Sequence, residues 1–183
     1  AMGGSENSAG FFAGRGIFDA PAPWTAGIAV FPAKGVSIAA DVQQIYYSEV
    51  ASVGNPMLPN LMQAPLGADG GAGFGWDDVT VYKLGAQWEA SPTWTLRAGY
   101  AHCTQPVQES DVLFNILAPG VVQDHVTVGA SKLLSPKSAV HFALTRAFSA
   151  KVTGPNPLEA PGQQTIELKM DQWEVELGWG FGF

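Results

Sequence analysis

The sequence predicts an all-β chain: one wall of a transmembrane antiparallel up-and-down β-barrel. Three observations lead there. Seven segments alternate apolar with polar or small residues at a period of two, the side-chain period of a strand. The connections between them are alternately long and short. Of the 183 residues, 46% are hydrophobic and only 14% charged, yet no apolar run approaches the ~20 residues of a membrane-spanning helix. A transmembrane strand needs only about 10 residues, half of them apolar.

The elements follow in order. Trp24, Ala26, Ile28 and Val30 alternate with Thr25, Gly27 and Ala29. Val36, Ile38, Ala40 and Val42 alternate with Ser37, Ala39, Asp41 and Gln43. Tyr82, Leu84, Ala86 and Trp88 alternate with Lys83, Gly85, Gln87 and Glu89. Trp94, Leu96, Ala98 and Tyr100 alternate with Thr95, Arg97, Gly99 and Ala101. Val126, Val128 and Ala130 alternate with His125, Thr127, Gly129 and Ser131. Val140, Phe142 and Leu144 alternate with His141, Ala143 and Thr145. Last, Trp173, Val175, Leu177, Trp179, Phe181 and Phe183 alternate with Gln172, Glu174, Glu176, Gly178, Gly180 and Gly182. No segment sustains a helical period.

Three connections are short and built of turn residues: Pro32-Ala33-Lys34-Gly35, Ala90-Ser91-Pro92-Thr93 and Ser135-Pro136-Lys137-Ser138. Three are long, at about 48–77, 104–123 and 153–171. Tight turns at one end and long loops at the other are the asymmetry of an outer-membrane barrel. The alternative is a soluble β-sandwich, which would mix loop lengths and use few loops above ~15 residues. Aromatic residues favour the barrel. Trp88, Trp94, Trp179, Phe181 and Phe183 fall at the short-turn end, and Tyr46, Tyr82, Tyr100 and Trp173 at the other. Two such rows are the girdles at the edges of an apolar band.

Seven strands cannot close a barrel, and an open edge cannot persist in lipid. The expectation is therefore that residues 1–183 form the C-terminal half of one barrel domain, with further strands before Ala1. The start, Ala1-Met2-Gly3-Gly4-Ser5, has neither the basic n-region nor the apolar core of a signal peptide.

Composition excludes several classes. A low charged fraction with 11% aromatics is not that of a disordered chain. A net charge of −7 repels phosphate, so no nucleic-acid partner is expected. The single Cys103 permits no intramolecular disulfide and no Cys-based zinc cluster, and it reads as an inert lumen-side residue. Gly-rich 67–75 is followed by no Gly-Lys-Ser/Thr and opens no helix, so it is not a phosphate loop.

Several segments, in the strands and between them, carry a resemblance to a known family. They are Gly16-Ile17-Phe18-Asp19-Ala20-Pro21, Ala39-Ala40-Asp41-Val42-Gln43, Gly73-Phe74-Gly75-Trp76-Asp77-Asp78, Val81-Tyr82-Lys83-Leu84-Gly85, Trp94-Thr95-Leu96-Arg97-Ala98-Gly99-Tyr100 and Phe114-Asn115-Ile116-Leu117-Ala118-Pro119-Gly120-Val121, with the terminal Phe183. In that order the chain resembles the C-terminal half of the FadL-type outer-membrane transporters of long-chain fatty acids and hydrocarbons. The resemblance implies a fourteen-stranded barrel of the bacterial outer membrane, plugged by an N-terminal hatch, of which these would be the last seven strands. The hatch and the early strand beside the lateral exit would be absent here. It implies a hydrophobic ligand, contact with outer-membrane lipid, help from the barrel assembly machinery through Phe183, and a monomer when full length.

The first two long loops are apolar for loops. Met57, Leu58, Leu61, Met62 and Leu66 fall in one, and Val112, Leu113, Phe114, Ile116, Leu117, Val121 and Val122 in the other. Apolar surface there marks an interaction site. Met57, Leu61, Met62, Leu113, Phe114, Ile116 and Leu117 are the candidates for an apolar capture pocket, or alternatively pack the loops together. A fatty-acid carboxylate calls for a basic partner, but 48–77 holds no Lys or Arg, which leaves room for neutral hydrocarbons. Lys83 and Arg97 point to the lumen, either to a ligand or into an ion network with Glu89 and Asp41. His125 and His141 also face the lumen, and His102 reads as a strand-end surface residue. No motif links the histidines to Ser131 or Asp41, so no enzymatic activity, metal or cofactor is expected. The expected function is passive outer-membrane transport of hydrophobic compounds, long-chain fatty acids foremost. Neutral aromatic hydrocarbons, or small polar solutes through a general diffusion porin, are the alternatives.

Overall fold

The computed structural model describes residues 20–64, 68 and 70–182. Seven strands form one antiparallel sheet in chain order: β1 (Pro23–Ala33), β2 (Val36–Ile45), β3 (Val79–Ser91), β4 (Trp94–Cys103), β5 (Asp124–Ser135), β6 (Ser138–Pro155) and β7 (Thr165–Phe181). Each predicted strand is present. Phe183, Leu66 and most of the 16–21 segment lie outside the described residues.

The short turns obey local chemistry. Ala33 pairs with Val36 across Lys34-Gly35, and Gly35 takes φ +74°, a conformation that a side chain would strain. In the other two turns Pro92 and Pro136 hold the position after the last paired residue, where a fixed φ suits a tight turn.

The register keeps the predicted faces together. Trp88 pairs with Leu96, Leu96 with Ala130, Ala130 with Phe142 and Phe142 with Leu177, all on the apolar face. Nothing covers that face among the described residues. Trp88 is 53% exposed, Leu177 81% and Trp179 70%. A sandwich would bury this face against a second sheet, whereas a transmembrane barrel turns it outward. On β7 the span from Trp173 to Phe181 is eight residues, about 27 Å along the strand. At a tilt near 40° that is about 20 Å of height, close to the ~25 Å apolar band of an outer membrane.

One boundary departs from expectation. The third loop, read as 153–171, is mostly strand, and only 156–164 connects β6 to β7. Two causes hid the extension. On β7 the polarity inverts: below Trp173 the outward residues are apolar, whereas above it the outward residues are Asp171, Lys169 and Glu167. There the inward ones are Met170, Leu168 and Ile166. On β6 an irregularity between Ala147 and Ala150 shifts the phase of the alternation. The other two loops carry helical turns: Tyr47–Glu49, Ala51–Gly54 and Asn60–Met62 in one, Glu109–Asp111 and Phe114–Ile116 in the other.

The buried core sits within this upper part, not in the barrel wall. Val107, Val112 and Val121 from the second loop pack on Val152 of β6 and Leu168 of β7, with Trp76, Ile166 and Met170 against them. The inward apolar row of the β6–β7 extension thus exists to bury the loops.

Candidate functional site

The outer loops form one folded unit. Asn115 is fully buried and joins two loops through three hydrogen bonds. Its Nδ2 donates to the carbonyls of Phe74 (2.7 Å) and Asp111 (2.9 Å), and its Oδ1 accepts from the Trp76 indole. Asp111, also buried, accepts from the Met57 amide at 2.8 Å and from the Ser110 hydroxyl. Phe74 stacks on Phe114 with centroids 5.2 Å apart, and Tyr47 meets Trp76 edge-on at 5.1 Å. Two glycines allow the close approach. A Cβ on Gly154 would lie 1.8 Å from the Glu109 carbonyl oxygen, and one on Gly73 would lie 2.6 Å from the carbonyl oxygens of Ala51 and Asn55.

The seven apolar loop candidates therefore divide. Met57 is buried by loop packing, and Leu61, Leu113 and Phe114 are half-buried. Met62, Ile116 and Leu117 are exposed, at 82%, 53% and 73%, and Leu158 of the third loop joins them at 75%. The sequence did not single out Leu158, which lies alone in a polar stretch. Nor did it single out Asn115 and Asp111 as the polar centre of the loops, since Asn and Asp in a loop signal a turn first.

The lumen wall is the second part. Its residues converge because neighbouring strands bring alternate side chains to one face. Arg97 Nε donates to Gln87 Oε1 at 2.8 Å and its Nη1 to Ser131 Oγ at 2.6 Å, while Ser131 Oγ and His141 Nδ1 lie 2.8 Å apart. This line crosses β3 to β6 and borders a cavity of about 730 Å³ reaching Glu176 on β7. In register, Arg97 is followed across the strands by Gly129, Ala143 and Glu176, so small residues floor the cavity between a cation and an anion. Lys83 Nζ donates to Gln43 Oε1 at 2.8 Å and borders a smaller cavity with Asp41 and His125.

Two readings change here. The ion network of Lys83 and Arg97 with Glu89 and Asp41 is absent among the described residues, and both cations are held by neutral side chains instead. Ser131 and His141, which no motif linked, are direct cross-strand partners. Asp41 lies on β2, three strands away from Ser131, and does not orient His141. His102 is at the strand end as read, with Nδ1 2.9 Å from Asp124. Cys103, the last residue of β4, faces inward and is half-buried, with its Sγ against the Val122 carbonyl. No three His, Cys, Asp or Glu side chains converge as metal ligands among the described residues.

An exposed apolar face, a polar inner wall and folded loops above are the layout of an outer-membrane barrel wall. Residues 8–173 match the sequence model of the outer membrane protein transport protein family, OMPP1/FadL/TodX. The chain belongs to that family. No curated protein matches it. Among solved structures, it is similar to the toluene transporter TodX of Pseudomonas putida, with 18% identity, 91% of this chain covered and a TM-score of 0.61. It is also similar to the CymD monoaromatic hydrocarbon channel (19% identity, 91% covered, TM-score 0.56) and to a FadL homologue of Pseudomonas aeruginosa (14%, 87%, 0.57). At these identities the likeness is one of fold. The chain covers 36%, 37% and 34% of those structures, the extent of half a barrel. Membership places the chain in the outer membrane.

Proposed function

We propose that the protein carries hydrophobic compounds across the outer membrane, by capture on its apolar outer loops and passive diffusion down the barrel. The observation that carries this reading is the loop unit: a folded cap with Met62, Ile116 and Leu117 left exposed on it. A general diffusion porin needs a polar, charged mouth, whereas these loops carry no Lys or Arg and leave large apolar side chains exposed. The proposed barrel has fourteen strands, this chain supplying the last seven as the C-terminal half, with the hatch in the remainder. It is a monomer when complete, and Phe183 is its signal to the assembly machinery. It performs no catalysis.

Long-chain fatty acids are the first substrate class. Lys83 and Arg97 are lumen cations bonded only to neutral groups, and each keeps N–H donors for a passing carboxylate. Neutral aromatic hydrocarbons are the second. Residues 48–77, 104–123 and 156–164 contain no Lys or Arg, so the outer loops offer no Lys or Arg cation to a carboxylate. Uptake of labelled oleate and labelled toluene by cells carrying the full-length gene, against a deletion strain, tests both. Oleate uptake that rises above the deletion strain supports the first class, and toluene uptake alone the second. Neither rising sinks the transport reading.

A further inference from the structure

We propose that the outward surface of β6 and β7, at the loop end of the sheet, binds an anionic, phosphate-bearing lipid of the outer leaflet. The proposal rests on the lipid-facing reading of the sheet and is independent of what the barrel transports.

The cations are not spread evenly. Of nine Lys and Arg residues, Arg15 lies outside the described residues. Lys34, Lys132 and Lys137 sit at the short-turn end, and Lys83 and Arg97 face the lumen. The other three, Arg146, Lys151 and Lys169, share the outward face of β6 and β7. Lys151 and Lys169 are register partners, and Arg146 is the partner of Trp173. Lys169 stands four residues beyond Trp173, about 13 Å along the strand. The three charges therefore rise from the aromatic row into the headgroup layer.

Directly below them is a place for an acyl chain. A cavity of about 300 Å³ opens on the lipid face, lined by Val126, Val128, Leu144, Phe148, Trp173 and Arg146. Five of these are apolar and the sixth is the cation. The Arg146 guanidinium lies over the Trp173 ring at 5.0 Å. It is held by Asp171 at 2.6 Å and by the Gln172 carbonyl at 3.2 Å, and its side chain is only 22% exposed. A guanidinium has five N–H donors, so this anchoring orients the fork and leaves donors for phosphate oxygens. Lys151 holds Glu167 at 2.9 Å, whereas Lys169 has no carboxylate at ion-pair distance among the described residues. Three cations thus face two carboxylates, in a chain whose net charge is −7. Asp124, the nearest acid on β5, is engaged by Tyr100 and His102. A greasy groove capped by an arginine and two lysines fits a phosphate headgroup above its own acyl chain.

The test uses the full-length protein in phosphatidylcholine vesicles carrying brominated chains on either phosphatidylglycerol or phosphatidylcholine. Quenching of Trp173 is taken as the difference from Trp173→Phe. The anionic lipid is expected to occupy the site with about fivefold preference, falling to near parity in the Arg146→Gln/Lys151→Gln/Lys169→Gln variant. Equal quenching by the two lipids, or a preference undiminished in the triple variant, would overturn the proposal. Should the triple variant fail to assemble, the Lys151→Gln/Lys169→Gln variant changes only residues above the apolar band. There the preference is expected to fall about twofold, and no change counts against the site.

Discussion

The Trp76 indole donates its N–H to the fully buried Asn115 Oδ1, tying the two longest loops together at a single side chain. Asn115 satisfies three partners at once, and an alanine there would orphan the indole N–H and two backbone carbonyls. Each such buried group costs about 1–3 kcal/mol. Asn115→Ala is expected to open the loops to limited proteolysis while the barrel keeps its heat-modifiable migration. A cleavage pattern like the parent's would mean that Asn115 does not hold the cap.

Gly154→Ala places a methyl group against the Glu109 carbonyl, a backbone atom that cannot swing aside. The Glu109–Asp111 turn must then lift off β6, at a cost of about 1–3 kcal/mol. Hydrogen exchange at Asp111 and Val112 is expected to quicken. Protection equal to the parent's would contradict the packing described.

Leu177→Arg tests the face of the sheet. Leu177 is 81% exposed, so in water the change would be nearly neutral. Near the bilayer midplane an arginine costs about 2–4 kcal/mol. A lowered urea midpoint for the reconstituted full-length protein is expected, and an unchanged midpoint would mean that this face meets water.

Cys103 is half-buried, with its Sγ against the Val122 carbonyl. Labelling with iodoacetamide at pH 8 is therefore expected to be slower than for an unfolded Cys peptide, because the reagent must reach a covered sulfur. Labelling as fast as the peptide's would refute the burial.

Phe183→Ala is expected to impair assembly of the full-length barrel, seen as loss of the heat-modifiable band. A normal band would remove Phe183 from that role.

The strands were legible because lipid on one side and a polar lumen on the other write a two-residue period directly into the chain. Where that environment ends, so does the signal. Ile166, Leu168 and Met170 alternate just as regularly, but inward, because above the bilayer the loops are the apolar partner and water is outside. On β6 the offset at Ala147/Ala150 breaks the count in mid-strand. The loop candidates were half legible. Their apolar character could be read, but burial depends on Asn115 and Asp111 meeting Phe74, Trp76 and Met57 across about 40 to 55 residues of chain. The Arg97–Ser131–His141 line needed the register of three strands, which periodicity alone leaves open.

The inversion on β7 also sets how deep the protein sits. Moved two residues inward, Asp171 and its ion pair with Arg146 would enter hydrocarbon. Moved two residues outward, the Trp173 ring would leave the interface and Val175 would follow it. Either displacement is uphill, so one pair of adjacent outward residues serves as the molecule's waterline.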